Sequence, residues 1–318
     1  MINIPFFTVI IPLFNKEKFI EATLKSVLNQ SFQDFEILII DDCSTDNSLE
    51  IVKNSEKVKI NIIQHAVNQG LSASRNTGIN NSKANFLVFL DADDLMKVNY
   101  LEKVKSLIDN FPEAGIFATN YEEVYHENHF VNPSLGLSNF EKDGIVEDFF
   151  EVSLQQPIYC QSSLCVRKSV FNTIGLYNTK INYSEDVDFN IRANYHFQLA
   201  YSPEKLVQYI MFDENQITRN SIIGKQIPDF DSFEYLTENR KSLKKYLDLN
   251  RYMLASNFKK QGDLVTFKKL KNGINKDSKI SGLNYKQLIL LNLPPFILKI
   301  ITALKLFFLR KGIRLTSF

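Results

Sequence analysis

With 318 residues and a hydrophobic content of 44%, the chain can form one large domain with appendages and is too apolar to be intrinsically disordered. Its net charge of +1 excludes the strongly basic character that is typical of nucleic-acid-binding proteins. Cys43, Cys160 and Cys165 lack any Cys-x-x-Cys spacing, and we recognise no secretory signal, so we expect reduced thiols in a cytoplasmic protein.

The first ninety residues alternate between predicted strands and predicted helices. Apolar runs predict strands at residues 6–11, 35–40, 59–65 and 86–90. Apolar residues at helical spacing and short polar stretches predict helices at residues 18–30, 46–54 and 70–80. Near-continuous apolar strands joined by helices are typical of a mostly parallel sheet with helices on both faces. We therefore expect an α/β fold with a Rossmann-like central sheet.

The fourth predicted strand, Phe86–Leu90, stops at three carboxylates, Asp91, Asp93 and Asp94. Carboxylates this close repel one another, and a divalent cation between them relieves the repulsion. Oxygen-only ligands suit Mg²⁺ or Mn²⁺, which complete their shells with substrate phosphates. The alternative is an acidic loop that caps a helix at residues 95–108, since Asp is a favoured N-cap residue.

The loops that follow the other predicted strands also carry polar and aromatic side chains. Successive parallel strands share one carboxyl edge, so these loops can line a single crevice. There, Phe14 can stack on a nucleobase, Asp42 can accept a hydrogen bond from a base N–H, and Arg75 can donate to a carbonyl or a phosphate. Each feature alone also fits an ordinary turn, but together they predict a nucleotide pocket.

Four segments of this half closely resemble the motifs of family 2 glycosyltransferases: Thr8–Asn15, Ile39–Ser48, Asn68–Gly78 and Phe89–Asp94. The resemblance implies a GT-A fold over residues 1–220, with a nucleotide-binding half at 1–95 and an acceptor-binding half at 96–220. It also implies transfer of a sugar from a nucleotide-sugar donor, by resemblance a UDP-sugar, with inversion at the anomeric carbon. Cys43 stands where the family usually has Gly, and we expect a turn position to tolerate it.

The resemblance further implies roles for individual residues. It implies that Asp93 ligates Mn²⁺ or Mg²⁺, that Asp91 contacts the metal or the ribose, and that Asp94 supports them or faces the sugar. The donor-binding residues that it implies are Pro12, Phe14, Glu17, Asp42, Arg75, Asp91 and Asp93.

The second half carries a candidate catalytic base, because an acceptor hydroxyl is a poor nucleophile until a positioned carboxylate takes its proton. Glu185 and Asp186 head a predicted helix, Val187–Tyr195, and resemble the Glu-Asp pair of the family. On that match Asp186 is the base and Glu185 shapes the acceptor site. The alternative is helix capping by acidic residues. Asp188 is expected to face solvent or to pair with Arg192.

One departure from the family concerns a third metal ligand. Many relatives carry a His in the segment that corresponds to Val207–Arg219, and this chain has none there. Asp213 or Glu214 could substitute, or the ligand could be missing.

The remaining residues predict a helical appendage at 221–283 and an amphipathic basic segment at 284–318. Helices are predicted at residues 228–249, 251–261 and 264–271. In the last segment one helical face carries Ile297, Ile300, Ile301, Leu304, Phe307 and Phe308. The opposite side carries Lys299, Thr302, Lys305, Arg310 and Arg314. Residues 288–315 therefore either lie on an anionic inner leaflet or pack on the protein's own core; a spanning helix is disfavoured by its lysines.

Taken together, these features predict an inverting, metal-assisted glycosyltransferase in cell-surface polysaccharide synthesis. Its acceptor would be a hydroxyl of a glycan or of a lipid-linked saccharide, and its location cytoplasmic, with peripheral membrane contact. Two alternatives are a haloacid-dehalogenase-like phosphatase, which also places Asp-x-Asp after a buried strand, and a non-catalytic degenerate transferase that binds sugar nucleotides. Processive synthesis is disfavoured, since the chain has no Trp and so no Gln-x-x-Arg-Trp signature.

Overall fold

A computed structural model describes residues 4–55, 59–126, 129–133, 135–137, 140–211 and 221–310. Its strands are β1 (Phe7–Leu13), β2 (Phe35–Asp41), β3 (Ile60–Gln64), β4 (Phe86–Phe89), β5 (Leu95–Met96), β6 (Ile116–His126), β7 (His129–Val131), β8 (Gly144–Val146), β9 (Leu164–Arg167) and β10 (Leu199–Ile210). Its α-helices are α1 (Ile20–Leu28), α2 (Ser48–Lys53), α3 (Leu71–Asn81), α4 (Tyr100–Asn110), α5 (Phe149–Val152), α6 (Val170–Ile174), α7 (Glu185–His196), α8 (Lys241–Gln261), α9 (Leu264–Gly273), α10 (Ser278–Ser281), α11 (Tyr285–Leu290) and α12 (Pro295–Arg310). In the described ranges, 3₁₀ helices span Gln161–Ser163 and Phe230–Glu238.

The strands form one mixed sheet in the order β3-β2-β1-β4-β9-β6-β10-β5, with β7 beside β6 and β8 beside β10. The first four strands are parallel, as the strand–helix alternation predicts. Strand β9 is antiparallel to both of its neighbours, β4 and β6. The residues that lead into β9 therefore lie beside the carboxyl end of β4, which is where the aspartates begin.

The first strand is longer than its sequence suggests, because it continues through Pro12 to Leu13. Pro12 pairs with Ile40 of β2, whereas β4 pairs only with Phe7–Ile10. Strand β4 has already ended beside Pro12, so no β4 carbonyl is left without a partner by the missing N–H of the proline. The proline therefore fits within β1.

The helix predicted at residues 95–108 begins only at Tyr100. Leu95 and Met96 instead form β5, which pairs antiparallel with Val207 and Gln208 of β10. The interpretation of the aspartates as the cap of that helix is therefore wrong: the pairing with β10 is a long-range interaction that local periodicity does not reveal.

The sheet supplies the core, since every side chain of β1 and β2 is buried. Helix α1 turns Ile20, Leu24 and Val27 onto it, in line with the predicted apolar face. Helix α3 approaches β1 so closely that a Cβ at Gly78 would lie 2.3 Å from Ile10 Cγ2. The glycine is therefore needed for the helix to pack at this distance.

The chain divides into two compact units. One comprises Met1–Pro133, Asn139–Glu147 and Tyr159–Asp213, and the other comprises Ser134–Ser138, Asp148–Ile158 and Glu214–Phe318. The domain boundaries inferred from the sequence, at residues 95, 220 and 283, stay predictions.

In the second unit, the two helices predicted at residues 228–249 and 251–261 are replaced by a 3₁₀ helix and the single helix α8, which runs through residue 250. Helix α8 ends at Gly262, whose φ of 96° is one that glycine adopts readily. Among the described residues, none of the helices has both the length and the apolar character required to cross a bilayer.

Candidate active site

The loop that follows β1 is held against the loop that follows β2. The Lys16 N–H donates to Ser48 Oγ at 2.7 Å, and the Glu17 N–H donates to Asp46 Oδ2 at 3.1 Å. In return, the Asn47 N–H donates to Glu17 Oε2 at 3.0 Å. The polar residues of these two motifs thus fix the shape of the crevice, and the donor-binding role of Glu17 stays a prediction.

Asp42 fixes the loop that leads into α3. One carboxylate oxygen lies 2.7 Å from His65 Nδ1 and accepts from the Gln69 N–H at 2.8 Å. The other accepts from the Gly70 N–H at 2.7 Å, and Gly70 has a φ of 89°, which a side chain would disfavour. Asp42 is therefore buried and engaged with protein groups, and its predicted contact with a nucleobase is not tested by these contacts.

Two further positions in this crevice differ in exposure and backbone geometry. Pro12 is buried within β1, whereas the Phe14 ring is 44% exposed and accessible for stacking. Cys43 has a φ of 65°, in the left-handed region that a Cβ atom disfavours. The position tolerates Cys only with backbone strain, which gives the physical reason for the Gly that the family usually has there.

The aspartate turn comprises residues 91–94, which follow β4, and Asp94 is its buried support. Its Oδ1 accepts from the Ile210 N–H at 2.8 Å, and its Oδ2 accepts from the Ser162 hydroxyl. Burial raises the pKa of Asp94 well above its usual range, and the charges of Asp93 and Asp91 raise it further. Two roles were considered for Asp94, namely support of Asp91 and Asp93 or contact with the sugar. Its burial and its hydrogen bonds to protein groups match the supporting role.

The carboxylates of Asp91 and Asp93 each accept a hydrogen bond from a basic side chain. Asp93 Oδ2 accepts from Lys16 Nζ at 2.6 Å, and Asp91 Oδ1 accepts from Arg75 Nη2 at 3.0 Å. The Asp91 N–H donates to Ser162 Oγ at 3.1 Å, so one serine hydroxyl holds both ends of the turn. In the described part of the chain, no group of three or more His, Cys, Asp and Glu side chains could by itself hold a metal ion. Asp91 and Asp93 supply oxygen ligands of the kind that Mg²⁺ and Mn²⁺ prefer, and substrate oxygens would have to complete the shell.

Arg75 links the aspartate turn to helix α7. It is only 1% exposed, and its Nη1 lies 3.4 Å from Glu185 Oε1 while its Nη2 binds Asp91. Its guanidinium also lies 5.3 Å from the centre of the Tyr177 ring. Burial disfavours the charge, but Asp91 and Glu185 offset this and the pKa of Arg75 is raised. A permanently charged group thus lies between the two carboxylate clusters.

Glu185 and Asp186 form the first turn of α7, where the sequence predicts them. Burial raises the pKa of both carboxyls, and the Arg75 charge opposes this rise in each. The charge of Asp91 raises both pKa values further, so the fields of the two clusters overlap. Asp188 pairs with Arg192 at 2.6 Å, which confirms the predicted i,i+4 contact.

Two residues near the aspartates are not suggested by the sequence. Ser162 precedes β9, and Tyr209 lies near the end of β10; burial and then the Asp94 and Asp91 charges raise the pKa of Tyr209 well above its usual range. Neither residue belongs to a motif, and only the sheet pairing brings them to this edge. Asp213 and Glu214, considered above as substitutes for a third metal ligand, lie outside the described residues.

Sequence comparison identifies relatives of the chain. Residues 8–175 match the family model described as Glycosyl transferase family 2. Glycosyltransferase GlyA of Streptococcus pneumoniae is 36% identical over 137 residues, which are 42% of this chain and 20% of that protein. An uncharacterized glycosyltransferase of Haemophilus influenzae is 25% identical over 234 residues, which are 73% of this chain and 76% of that protein.

Structural comparison finds similar solved folds. The crystal structure of S. aureus TarS 1-349 in complex with UDP-GlcNAc has a TM-score of 0.66 and 20% sequence identity. The match covers 84% of this chain and 79% of that one. At this identity the likeness shows the fold, which confirms the α/β architecture with a central sheet and C-terminal helices that the sequence predicts.

Proposed function

The chain belongs to glycosyl transferase family 2, and from this membership we propose that it moves a sugar from a nucleoside-diphosphate sugar to an acceptor hydroxyl with inversion. One observation carries the proposal. Arg75 places the aspartate turn and the Glu185–Asp186 pair at the same edge of the sheet, with Asp91 within electrostatic range of both acids. Single displacement needs this juxtaposition, because one carboxylate cluster serves the leaving diphosphate and the other the incoming hydroxyl.

For the donor we propose a UDP-sugar. The TarS structure with UDP-GlcNAc supports a uridine nucleotide at the corresponding fold, and the half-exposed Phe14 ring offers a stacking surface in the same crevice. Pro12, Glu17, Asp42 and Arg75 are proposed to shape this pocket.

Asp91 and Asp93 would hold the Mn²⁺ or Mg²⁺ that the family generally uses, and this ion would supply Lewis-acid stabilisation of the departing diphosphate. Lys16 adds a positive charge at the same place, because its ammonium reaches Asp93. Asp94 accepts hydrogen bonds from Ser162 and from the Ile210 N–H, and through them it holds the aspartate turn in position.

Asp186 is the proposed base. Burial raises its pKa, and a carboxylate with a raised pKa is a stronger proton acceptor than an exposed one. The Arg75 charge opposes that rise and so favours the ionised form of Asp186, which is the form that can take the acceptor proton. Glu185, bound to Arg75, holds the first turn of α7 and borders the acceptor site.

For the acceptor we propose a hydroxyl of a glycan or of a lipid-linked saccharide in cell-surface polysaccharide synthesis. We propose a cytoplasmic location with peripheral membrane contact. Three free cysteines, Cys43, Cys160 and Cys165, support a reducing compartment.

The phosphatase alternative loses its basis with the family assignment, since it requires the fold and nucleophilic Asp of a different family. A degenerate transferase that binds donor without turnover remains an outcome of the experiment below. Asp93 and Asp186, the residues proposed for metal binding and for catalysis, both lie at the site.

The test is a screen of nucleotide sugars by calorimetry in the presence of Mn²⁺, followed by transfer assays with candidate saccharides. Asp186→Asn is expected to bind donor as the wild type does and to lose transfer, whereas Asp93→Ala is expected to lose metal-dependent donor binding. Asp188→Asn, on the same helix but paired with Arg192, is the matched control and should retain transfer per folded molecule. Donor binding by the wild type without transfer to any acceptor would favour the degenerate alternative. Unchanged transfer by Asp186→Asn would overturn the assignment of the base.

A further inference from the structure

Helix α12 presents a row of apolar side chains outward. Phe296, Ile300, Leu304 and Phe307 are 51–63% exposed, and their spacing of four, four and three residues places them on one helical stripe. We call this row the α12 face. Single exposed apolar residues are common on protein surfaces, but a contiguous row along one helix marks an interaction site.

The opposite side of α12 packs on helix α8 and carries polar groups. Lys260 Nζ of α8 lies 3.4 Å from Thr302 Oγ1, and Leu298 is buried beside them. Burial lowers the pKa of Lys305, and burial together with the Lys305 charge lowers the pKa of Lys260. The sequence pattern placed Thr302 and Lys305 opposite the predicted apolar face and left open which of the two faces meets the protein. Ile297, Ile301 and Phe308 are half-buried, so the apolar residues of α12 are divided between the side that packs on the protein and the exposed α12 face.

The sequence that contains α10, α11 and α12 carries formal charge of one sign. Residues 278–318 contain seven cationic residues and no Asp or Glu: Lys279, Lys286, Lys299, Lys305, Arg310, Lys311 and Arg314. Since the whole chain has a net charge of +1, the preceding 277 residues carry a net charge of −6. Lys286 is exposed on α11, and Lys299 is exposed on α12. An anionic surface would therefore attract this segment and repel the remainder of the chain.

We propose that the α12 face docks on the surface of an anionic lipid bilayer. The helix lies in the interface with Phe296, Ile300, Leu304 and Phe307 among the lipid chains, and Lys286 and Lys299 contact the headgroups. This inference deepens the proposed peripheral membrane contact, but it does not depend on the proposed sugar transfer, because it rests on the exposure and charge of α11 and α12 alone.

The experiment is flotation of the full chain with vesicles of phosphatidylcholine, alone or mixed with phosphatidylglycerol. The wild type is expected to bind the anionic vesicles, and added salt is expected to weaken this binding. In Ile300→Ser/Leu304→Ser the partition coefficient should fall about 30-fold, because roughly half of each side chain is exposed and available for transfer to lipid. Lys286→Gln/Lys299→Gln should lower binding to anionic vesicles by a similar factor.

A control is Ile223→Ser/Val265→Ser, which removes two apolar side chains outside this segment that are 54% and 82% exposed, at least about as much as Ile300 and Leu304, and should leave binding unchanged. Circular dichroism checks that each variant is folded. The proposal is overturned if the wild type does not float, or if the Ile300→Ser/Leu304→Ser variant floats as well as the wild type. It is also overturned if sedimentation shows a wild-type dimer that the same variant dissociates, because the face would then cover a second copy of the chain.

Discussion

Replacing Arg75 with Gln tests whether this residue controls the protonation of the proposed base. Its side chain is buried between Asp91 at 3.0 Å and Glu185 at 3.4 Å, and its charge opposes the rise in the pKa of Asp186. Removing a nearby opposite charge raises a carboxyl pKa by about 1–3 units. A base must be deprotonated to act, so the acid limb of the pH profile of kcat/KM should move to higher pH by about that amount.

The same change should also destabilise the fold. Removing one partner of a buried pair leaves uncompensated charge and costs about 3–5 kcal/mol in the free energy of unfolding. Protonation of Glu185 at lower pH should recover part of this loss. The stability of Arg75→Gln relative to the wild type should therefore improve as pH falls through the raised pKa of Glu185.

The assay combines pH–rate profiles with urea unfolding at each pH, and Arg75→Lys is the matched control. Lys keeps the charge but not the two-armed contact, so it should shift the acid limb less than Gln does. If folded Arg75→Gln shows lower activity with an unmoved acid limb, Arg75 acts through packing or donor contact alone. The electrostatic reasoning would then be refuted.

Three further predictions concern the neighbouring loops. Cys43→Gly should raise the free energy of unfolding by up to about 1 kcal/mol in urea melts, because it relieves a left-handed φ at the cost of some chain entropy; a loss of stability would show that the φ is unstrained. Ser162→Ala should lower the free energy of unfolding by about 1.5–3 kcal/mol, because the buried carboxylate of Asp94 loses a hydrogen-bond donor. A change within about 0.5 kcal/mol, which is the scatter of a neutral surface substitution, would contradict the supporting role of Ser162. Lys16→Met should tighten binding of Mn²⁺ in the absence of donor by about tenfold, measured by electron paramagnetic resonance of free Mn²⁺, because the ammonium no longer competes for Asp93. Weaker or unchanged binding would place the ion elsewhere.

Local patterns predict the parts of the fold that depend on local sequence. The strands from β1 to β4 are near-continuous apolar runs, and since parallel strands share a carboxyl edge, the loops bearing Asp42, Arg75 and Asp91 were expected to meet. Their meeting with Glu185 was expected only through the family resemblance. Nothing in residue spacing relates position 75 to position 185.

The features that the sequence did not predict depend on long-range pairing. Strand β5 forms because Leu95 meets Gln208, and Ser162 reaches the aspartates because β9 runs antiparallel to β4. The orientation of α12 was also unpredictable, because an amphipathic pattern defines two faces without saying which one meets the protein. In each case the deciding partner lies far along the chain.

The support of Asp94 has a consequence for the order in which the protein matures. Its carboxylate is held by a hydroxyl 68 residues later and by a backbone N–H 116 residues later. On a translating ribosome the second donor follows Asp94 by roughly ten seconds at ordinary rates of synthesis. While the nascent chain consists of the first four strands alone, neither donor has been made, so the Asp94 carboxylate has only water as a partner and the aspartate turn cannot reach its native, buried form. A chain interrupted before β10 would therefore carry every donor-side motif and still lack a finished site.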